Sequence, residues 1–141
     1  MPQKLRAFVI MPFDDEFDPI YEQLIKPPLE AAGYAVRRAD SGFDQQNVLQ
    51  DIVGGIAQAH LVVAEITVEN ANVFYELGIC HGLHKPTILL AQSADAVPFD
   101  LRGYRLQIYS TNFDEVDKLK QALETIAKKH LQGGVTFSSP V

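Results

Sequence analysis

The stretch Leu61-Val-Val-Ala-Glu-Ile-Thr-Val-Glu-Asn-Ala-Asn-Val-Phe-Tyr-Glu-Leu-Gly-Ile-Cys-His-Gly-Leu83 decides how the rest of the chain is read. Its apolar opening predicts a buried strand over Leu61–Ile66. A polar turn follows, with Asn70 and Asn72 as candidate N-caps, and a helix is expected from about Val73 to His84. At 100° per residue the apolar positions of that helix run almost all the way round. Glu76 falls on the face made by Val73, Cys80 and Leu83, where the pattern asks for a core residue. The expectation is a half-buried carboxylate in the first turn of a helix, buried from several directions. Desolvation favours its neutral form, whereas a helix N-terminus favours the carboxylate by about 0.3–1 kcal/mol. Such a group serves as a nucleophile or an acid/base; it serves equally as a cap for backbone N–H groups or an arginine partner.

Outward from this stretch the chain alternates strand and helix. Leu5–Met11 is apolar without alternation, as in a strand covered on both faces. It ends at the turn Met11-Pro-Phe-Asp-Asp-Glu-Phe17. Asp18-Pro19 starts a helix that carries Ile20, Leu24 and Leu29 inward, must kink or restart at Pro27-Pro28, and stops at Gly33. A second strand covers Tyr34–Ala39, and Asn47 is expected to cap a helix with Val48, Ile52 and Ile56 on one face. Its Gly54-Gly55 pair weakens it but permits close packing. Thr87–Ala91 and Tyr104–Tyr109 read as further strands. A last helix is expected to open at Asn112 or Asp114 and run through Val116, Leu119, Leu123 and Ile126.

This alternation predicts an α/β fold, a flavodoxin-like or Rossmann-like three-layer sandwich with a five-stranded parallel sheet in the order 2-1-3-4-5. Residues 1–134 form a single domain in this reading, and 135–141 form an apolar tail suited to packing on a partner subunit. Ligands of such sheets bind beyond the carboxyl ends of the strands, where the order reverses between the first and third. The loops at that point are Met11–Phe17 and Ile66–Asn72, and Glu76 lies on the helix that leaves the second.

With 141 residues, the chain can bury about two thirds of its unfolded surface. A net charge of −6 argues against binding a nucleic acid polymer, which needs clustered Lys and Arg. Small anionic ligands stay open, since a local arginine suffices. Cys80 is the one cysteine, so an internal disulfide and a multi-cysteine metal site are excluded. No apolar run reaches 18 residues, and the expectation is a soluble, cytoplasmic protein that does not enter a membrane. His81 and His84 share a helical face, but no third ligand has metal spacing. The glycine-rich dinucleotide fingerprint and the Walker loop are absent, and no cofactor is expected. Asp14, Asp15 and Glu65 suggest a receiver pocket only superficially, because the aspartate at strand three and the lysine after strand five that a receiver needs are missing.

Several segments together resemble the nucleoside 2-deoxyribosyltransferase-like proteins: Phe8-Val-Ile-Met-Pro-Phe13, Leu61-Val-Val-Ala-Glu-Ile-Thr67, Asn70-Ala-Asn-Val-Phe-Tyr-Glu-Leu-Gly-Ile79, Lys85-Pro-Thr-Ile88 and Pro98-Phe-Asp-Leu-Arg102. The wider group includes nucleotide N-glycosidases and is related in fold to TIR-type NAD-cleaving domains. The resemblance spans about residues 5–110, and its most specific piece is Tyr75-Glu-Leu-Gly78. It implies that Glu76 attacks the anomeric carbon of a deoxyribose and forms a glycosyl-enzyme intermediate, through an oxocarbenium-like transition state. Asn70, at the position the transferases use on the sugar or base, and Asn72 are candidates to position sugar or base, and Met11, Pro12 and Phe13 either wall the base or simply end the strand.

Two positions depart from the pattern. Asn70 stands where the transferases usually carry aspartate, and Glu65 where many relatives have aspartate. Asn70 can orient a hydroxyl but is no general acid. Acids left to protonate a departing base are Glu65, Asp14, Asp40 and Asp44. Arg102 either holds a phosphate or pairs with Asp100. Three readings follow: an N-glycosidic-bond-cleaving or transferring enzyme acting on a small nucleoside or nucleotide, a nucleotide-binding module without turnover, or a TIR-like NAD hydrolase. In each the protein is expected as a homodimer or higher homo-oligomer, with Tyr75 at the subunit interface.

Overall fold

A computed structural model describes residues 4–12, 14–38, 45–101 and 105–133, and for 45–49, 96 and 99 the backbone alone. Five strands form one parallel sheet in the order β2-β1-β3-β4-β5: β1 (Leu5–Ile10), β2 (Tyr34–Arg38), β3 (Leu61–Glu65), β4 (Thr87–Ala91) and β5 (Leu106–Ile108). Every residue of β3 and β4 is buried, as expected of central strands covered on both faces. Side-chain alternation sends Ala7, Val9, Val63 and Leu90 to one face and Phe8, Ile10, Val62 and Leu89 to the other. On the first face lie α1 (Lys26–Ala31), with the helical turn before it, and α4 (Val116–Leu131), which contributes Leu119, Leu123 and Ala127. On the second lie α2 (Gln45–Gln58), through Ile52 and Ile56, and α3 (Ala71–Gly82), through Val73, Leu77 and Cys80. The result is the three-layer α/β sandwich expected from the alternation.

The proline pair acts as its chemistry requires. Pro27 and Pro28 occupy the first positions of α1. The turn before them, Ile20–Ile25, is wound as a π-helix, and the Lys26 N–H reaches back to the Tyr21 carbonyl. Without two N–H donors the ordinary register fails, and the wider turn bridges the gap before the helix restarts. Gly33, at φ +107°, takes the left-handed conformation after the helix.

Several element ends differ from the sequence reading. α2 begins at Gln45, two residues before Asn47, so Asn47 is not its cap. α4 begins at Val116, because the Asn112 carbonyl first accepts the N–H groups of Glu115 and Val116 in a separate turn. β5 is only three residues long and pairs with β4 alone. An edge strand with one neighbour has less pairing to hold its ends.

The two adjacent glycines of α2 have different reasons to exist. A Cβ at Gly55 would lie 2.4 Å from the Phe8 ring, whereas one at Gly54 would meet nothing within 4 Å. Phe8 is 2% exposed, so its ring cannot easily yield. Gly55→Ala is therefore expected to destabilise by about 1–3 kcal/mol through overpacking. Gly54→Ala is expected to stabilise by about 0.5–1 kcal/mol through helix propensity. Urea unfolding of the two variants checks this, and equal effects would sink the argument.

Candidate active site

All strands being parallel, their carboxyl ends share one edge, and the order reverses between β1 and β3. Met11 and Pro12 leave β1 there, and Glu65 ends β3. The turn after Glu65 leads to Asn70, whose Oδ1 accepts the N–H groups of Asn72 (3.0 Å) and Val73 (3.1 Å). Asn70 is thus the N-cap of α3, whereas Asn72 is an exposed helical residue. The cap sets α3 going at Ala71, two residues earlier than Val73. Glu76 is therefore in the second turn rather than the first, beyond the reach of most of the helix-terminus field.

That shift decides the competition posed by the sequence. Glu76 is 6% exposed, against Val73, Leu77 and Cys80 at 3%, 2% and 0%. Burial alone pushes its carboxyl up to about 7. Among the described residues no hydrogen-bond donor or cation meets it, so it is neither a cap nor half of an ion pair. One turn on, the Cys80 thiol is pushed up to about 12, by burial and then by the Glu76 charge. α3 is less covered than its apolar pattern suggested: Tyr75 is 61% exposed, and Leu83, expected on the Glu76 face, lies past the last helical residue and is 49% exposed.

Glu65 differs in kind. It is fully buried, and both oxygens have protein donors: Oε1 accepts the Thr67 N–H and Oε2 accepts the Tyr109 hydroxyl. Burial raises its pKa, and the hydrogen bonds from Thr67 and Tyr109 oppose the rise. Burial and the Glu65 charge raise Tyr109, so the shared proton belongs to the phenol. Thr67 Oγ1 in turn accepts the Gln92 N–H at 3.0 Å. This network ties together the carboxyl ends of β3, β4 and β5. Beyond it, a cleft of about 340 Å³ lies between the end of β5 and α4, lined by Gln92, Gln107, Tyr109, Ser110, Glu115 and Lys118 among others.

Met11 and Pro12 are buried at the end of β1, and Asp14 is exposed. Phe13, Asp40, Asp44 and Arg102, together with the tail 135–141, lie outside the described residues. Among the described residues no three His, Cys, Asp or Glu side chains gather to hold a metal ion, and no helix is long and apolar enough to cross a membrane.

Sequence reasoning missed Arg38 and Tyr109. Arg38 closes β2 and hydrogen-bonds the Pro12 carbonyl across 26 residues; its only sequence signal is a charge at the end of a strand. Tyr109 meets Glu65 across 44 residues and gives no local signal at all.

The fold and the crevice define a class: the chain has a nucleoside 2-deoxyribosyltransferase-like fold. Among solved structures it is similar to the 2-deoxyribosyltransferase of the psychrotolerant bacterium Bacillus psychrosaccharolyticus, at a TM-score of 0.61 and 15% identity, over 82% of this chain and 90% of that one. It is also similar to a 2-deoxyribosyltransferase from Leishmania mexicana, at a TM-score of 0.56 and 12% identity, over 63% of this chain and 65% of that one. At these identities the likeness is one of fold. No protein-family model matches the chain, and no curated protein matches it significantly.

Proposed function

We propose that the protein cleaves or transfers the N-glycosidic bond of a nucleoside or nucleotide, with Glu76 as the nucleophile. The observation that carries this is the buried Glu76, whose carboxyl meets no partner among the described residues, on the helix that leaves the switch point of the sheet. The fold shared with two 2-deoxyribosyltransferases supports it. In the first step a Glu76 oxygen bonds to C1′ while the C1′–N bond breaks. The base leaves with the electron pair and takes a proton. In the second, water or another base attacks C1′, the ester bond breaks, and the carboxylate returns. A poorly solvated carboxylate has little water to shed before attack and lies close to the developing positive charge.

Met11 and Pro12, with Phe13, are proposed to wall the base, and Asn70 and Asn72 to orient the sugar. The Asn70 Oδ1 is engaged in capping, so its Nδ2 would be the contacting atom. Glu65 would act through the Thr67 turn that it anchors rather than by touching substrate. Proton donation to the base then falls to Asp14, Asp40 or Asp44, and Arg102 would meet a phosphate.

One observation favours a second reading, a binding module without turnover: both oxygens of Glu65 are engaged and Asn70 is no acid, so neither of these positions offers a free general acid. Incubation with deoxynucleosides, deoxynucleoside monophosphates and NAD separates the readings. Free base from a deoxynucleoside or deoxynucleotide supports the enzyme, nicotinamide supports an NAD hydrolase, and binding without release supports the module. A homo-oligomer is proposed as well, supported by the exposed Tyr75 and Leu83 on α3. Sedimentation at micromolar concentration should give more than the monomer mass, and Tyr75→Glu should return it to the monomer. A monomeric wild type ends that proposal.

A further inference from the structure

We infer that Arg38 is a positioning residue: it fixes the turn after β1 and thereby sets the affinity of the crevice for its ligand. This rests on the reading of the crevice as a nucleoside or nucleotide site.

In the β1–β2 ladder Arg38 stands opposite Val9, and the pairing ends there. The Pro12 carbonyl lies three residues beyond Val9, past the described pairs of the ladder. Arg38 supplies a donor from its side chain. Its Nη2 donates to the Pro12 carbonyl at 2.7 Å, and its Nη1 meets Asp18 Oδ1 at 2.7 Å. The guanidinium lies 5.5 Å over the Tyr21 ring, and its side chain is only 15% exposed. One planar fork thus pins both ends of the segment from Pro12 to Asp18. A single ammonium point charge has no such geometry.

The arrangement carries a cost. The Arg38 Nε is buried without a hydrogen-bond partner among the described residues, which is unfavourable for a charged group. The neighbouring Arg37 shows the undemanding alternative. It points to the other face, is 52% exposed, and meets Asp51 at 3.4 Å. A largely covered cation that holds one carbonyl at the cost of an unsatisfied Nε is better explained by the need for that carbonyl to stay put than by stability. β2 lies on the far side of β1 from β3, so Arg38 works from behind the crevice. It acts on ligand only through the turn.

Arg38→Lys, Arg38→Met and Asp18→Asn test this. Asp18 is 55% exposed, so its ion pair contributes little and its loss leaves the Pro12 bond intact. For base release, both Arg38 variants are expected to raise KM roughly 10-fold with kcat within about 2-fold, and Asp18→Asn to leave KM within about 2-fold. A parallel arm needs no turnover: Kd of the deoxynucleoside monophosphates for Glu76→Gln, alone and combined with Arg38→Lys, should show the same weakening. An unchanged KM and Kd with a lowered melting temperature would make Arg38 merely structural. Equal effects of Asp18→Asn and Arg38→Lys would assign the effect to the ion pair, overturning the clamp. Absence of base release by the wild type would remove the glycosidic reading alone, with the Kd arm still deciding on Arg38. Failure of every nucleoside and nucleotide to bind would end both.

Discussion

Glu76→Gln is expected to abolish base release, by about 10³-fold or more, and at the same time to make the protein more stable above neutral pH. The first effect follows because an amide cannot form the glycosyl ester. The second follows from linkage. The Glu76 carboxyl titrates near 4.5 when unfolded and at about 7 when folded. Below about 4.5 both states carry the proton, and the group imposes no penalty. Between these values the native state binds more protons than the unfolded state, so stability falls as pH rises. Above about 7 the penalty is complete, at about 1–3 kcal/mol, and glutamine does not incur it. Denaturant unfolding of wild type and variant at about pH 3.5 and pH 8 should show curves that coincide at the first and separate at the second. The wild-type reaction should rise through about pH 7 on its acid limb, as the nucleophile ionises. A variant destabilised equally at both pH values would show Glu76 to be an ordinary structural acid.

The second large effect is expected at Tyr109→Phe. Removing that hydroxyl takes from the fully buried Glu65 carboxylate the donor on its Oε2. The expected loss is about 2–4 kcal/mol, more than a typical neutral hydrogen bond contributes, because the stranded atom belongs to a carboxylate. The direction with pH is defined. Without Tyr109 the already raised pKa of Glu65 rises further, so the destabilisation grows as pH increases through it. Glu65→Gln should be milder, since its amide can still accept the Thr67 N–H and donate to the phenol oxygen. Thermal unfolding of both variants across pH 5 to 8 measures this. A Tyr109→Phe variant as stable as the wild type would mean that the network holds nothing together.

Glu76 and Glu65 show how one residue type acquires two roles. Both are buried at the carboxyl edge. Glu65 has a donor on each oxygen and holds three strand ends together. Glu76 has apolar neighbours and no donor among the described residues, and on the proposed function its carboxyl serves a ligand. The environment, not the side chain, separates anchor from candidate nucleophile.

By itself the sequence determined the α/β class and the inward-facing Glu76, because these follow from periodicity and turn chemistry that act over a few residues. The strand order followed only from the preference of five-stranded parallel sheets for one winding. Asn70 before a helix, Pro27-Pro28 inside one and Gly33 after it each carry their instruction locally. Only the tertiary structure decided where α3 begins relative to Glu76, and hence that desolvation outweighs the helix terminus there. Tertiary contacts alone also join Glu65 to Tyr109 and Arg38 to Pro12, across 44 and 26 residues. Those partners are chosen by which strands lie side by side and how far a side chain reaches past the end of a ladder, and no local pattern encodes either.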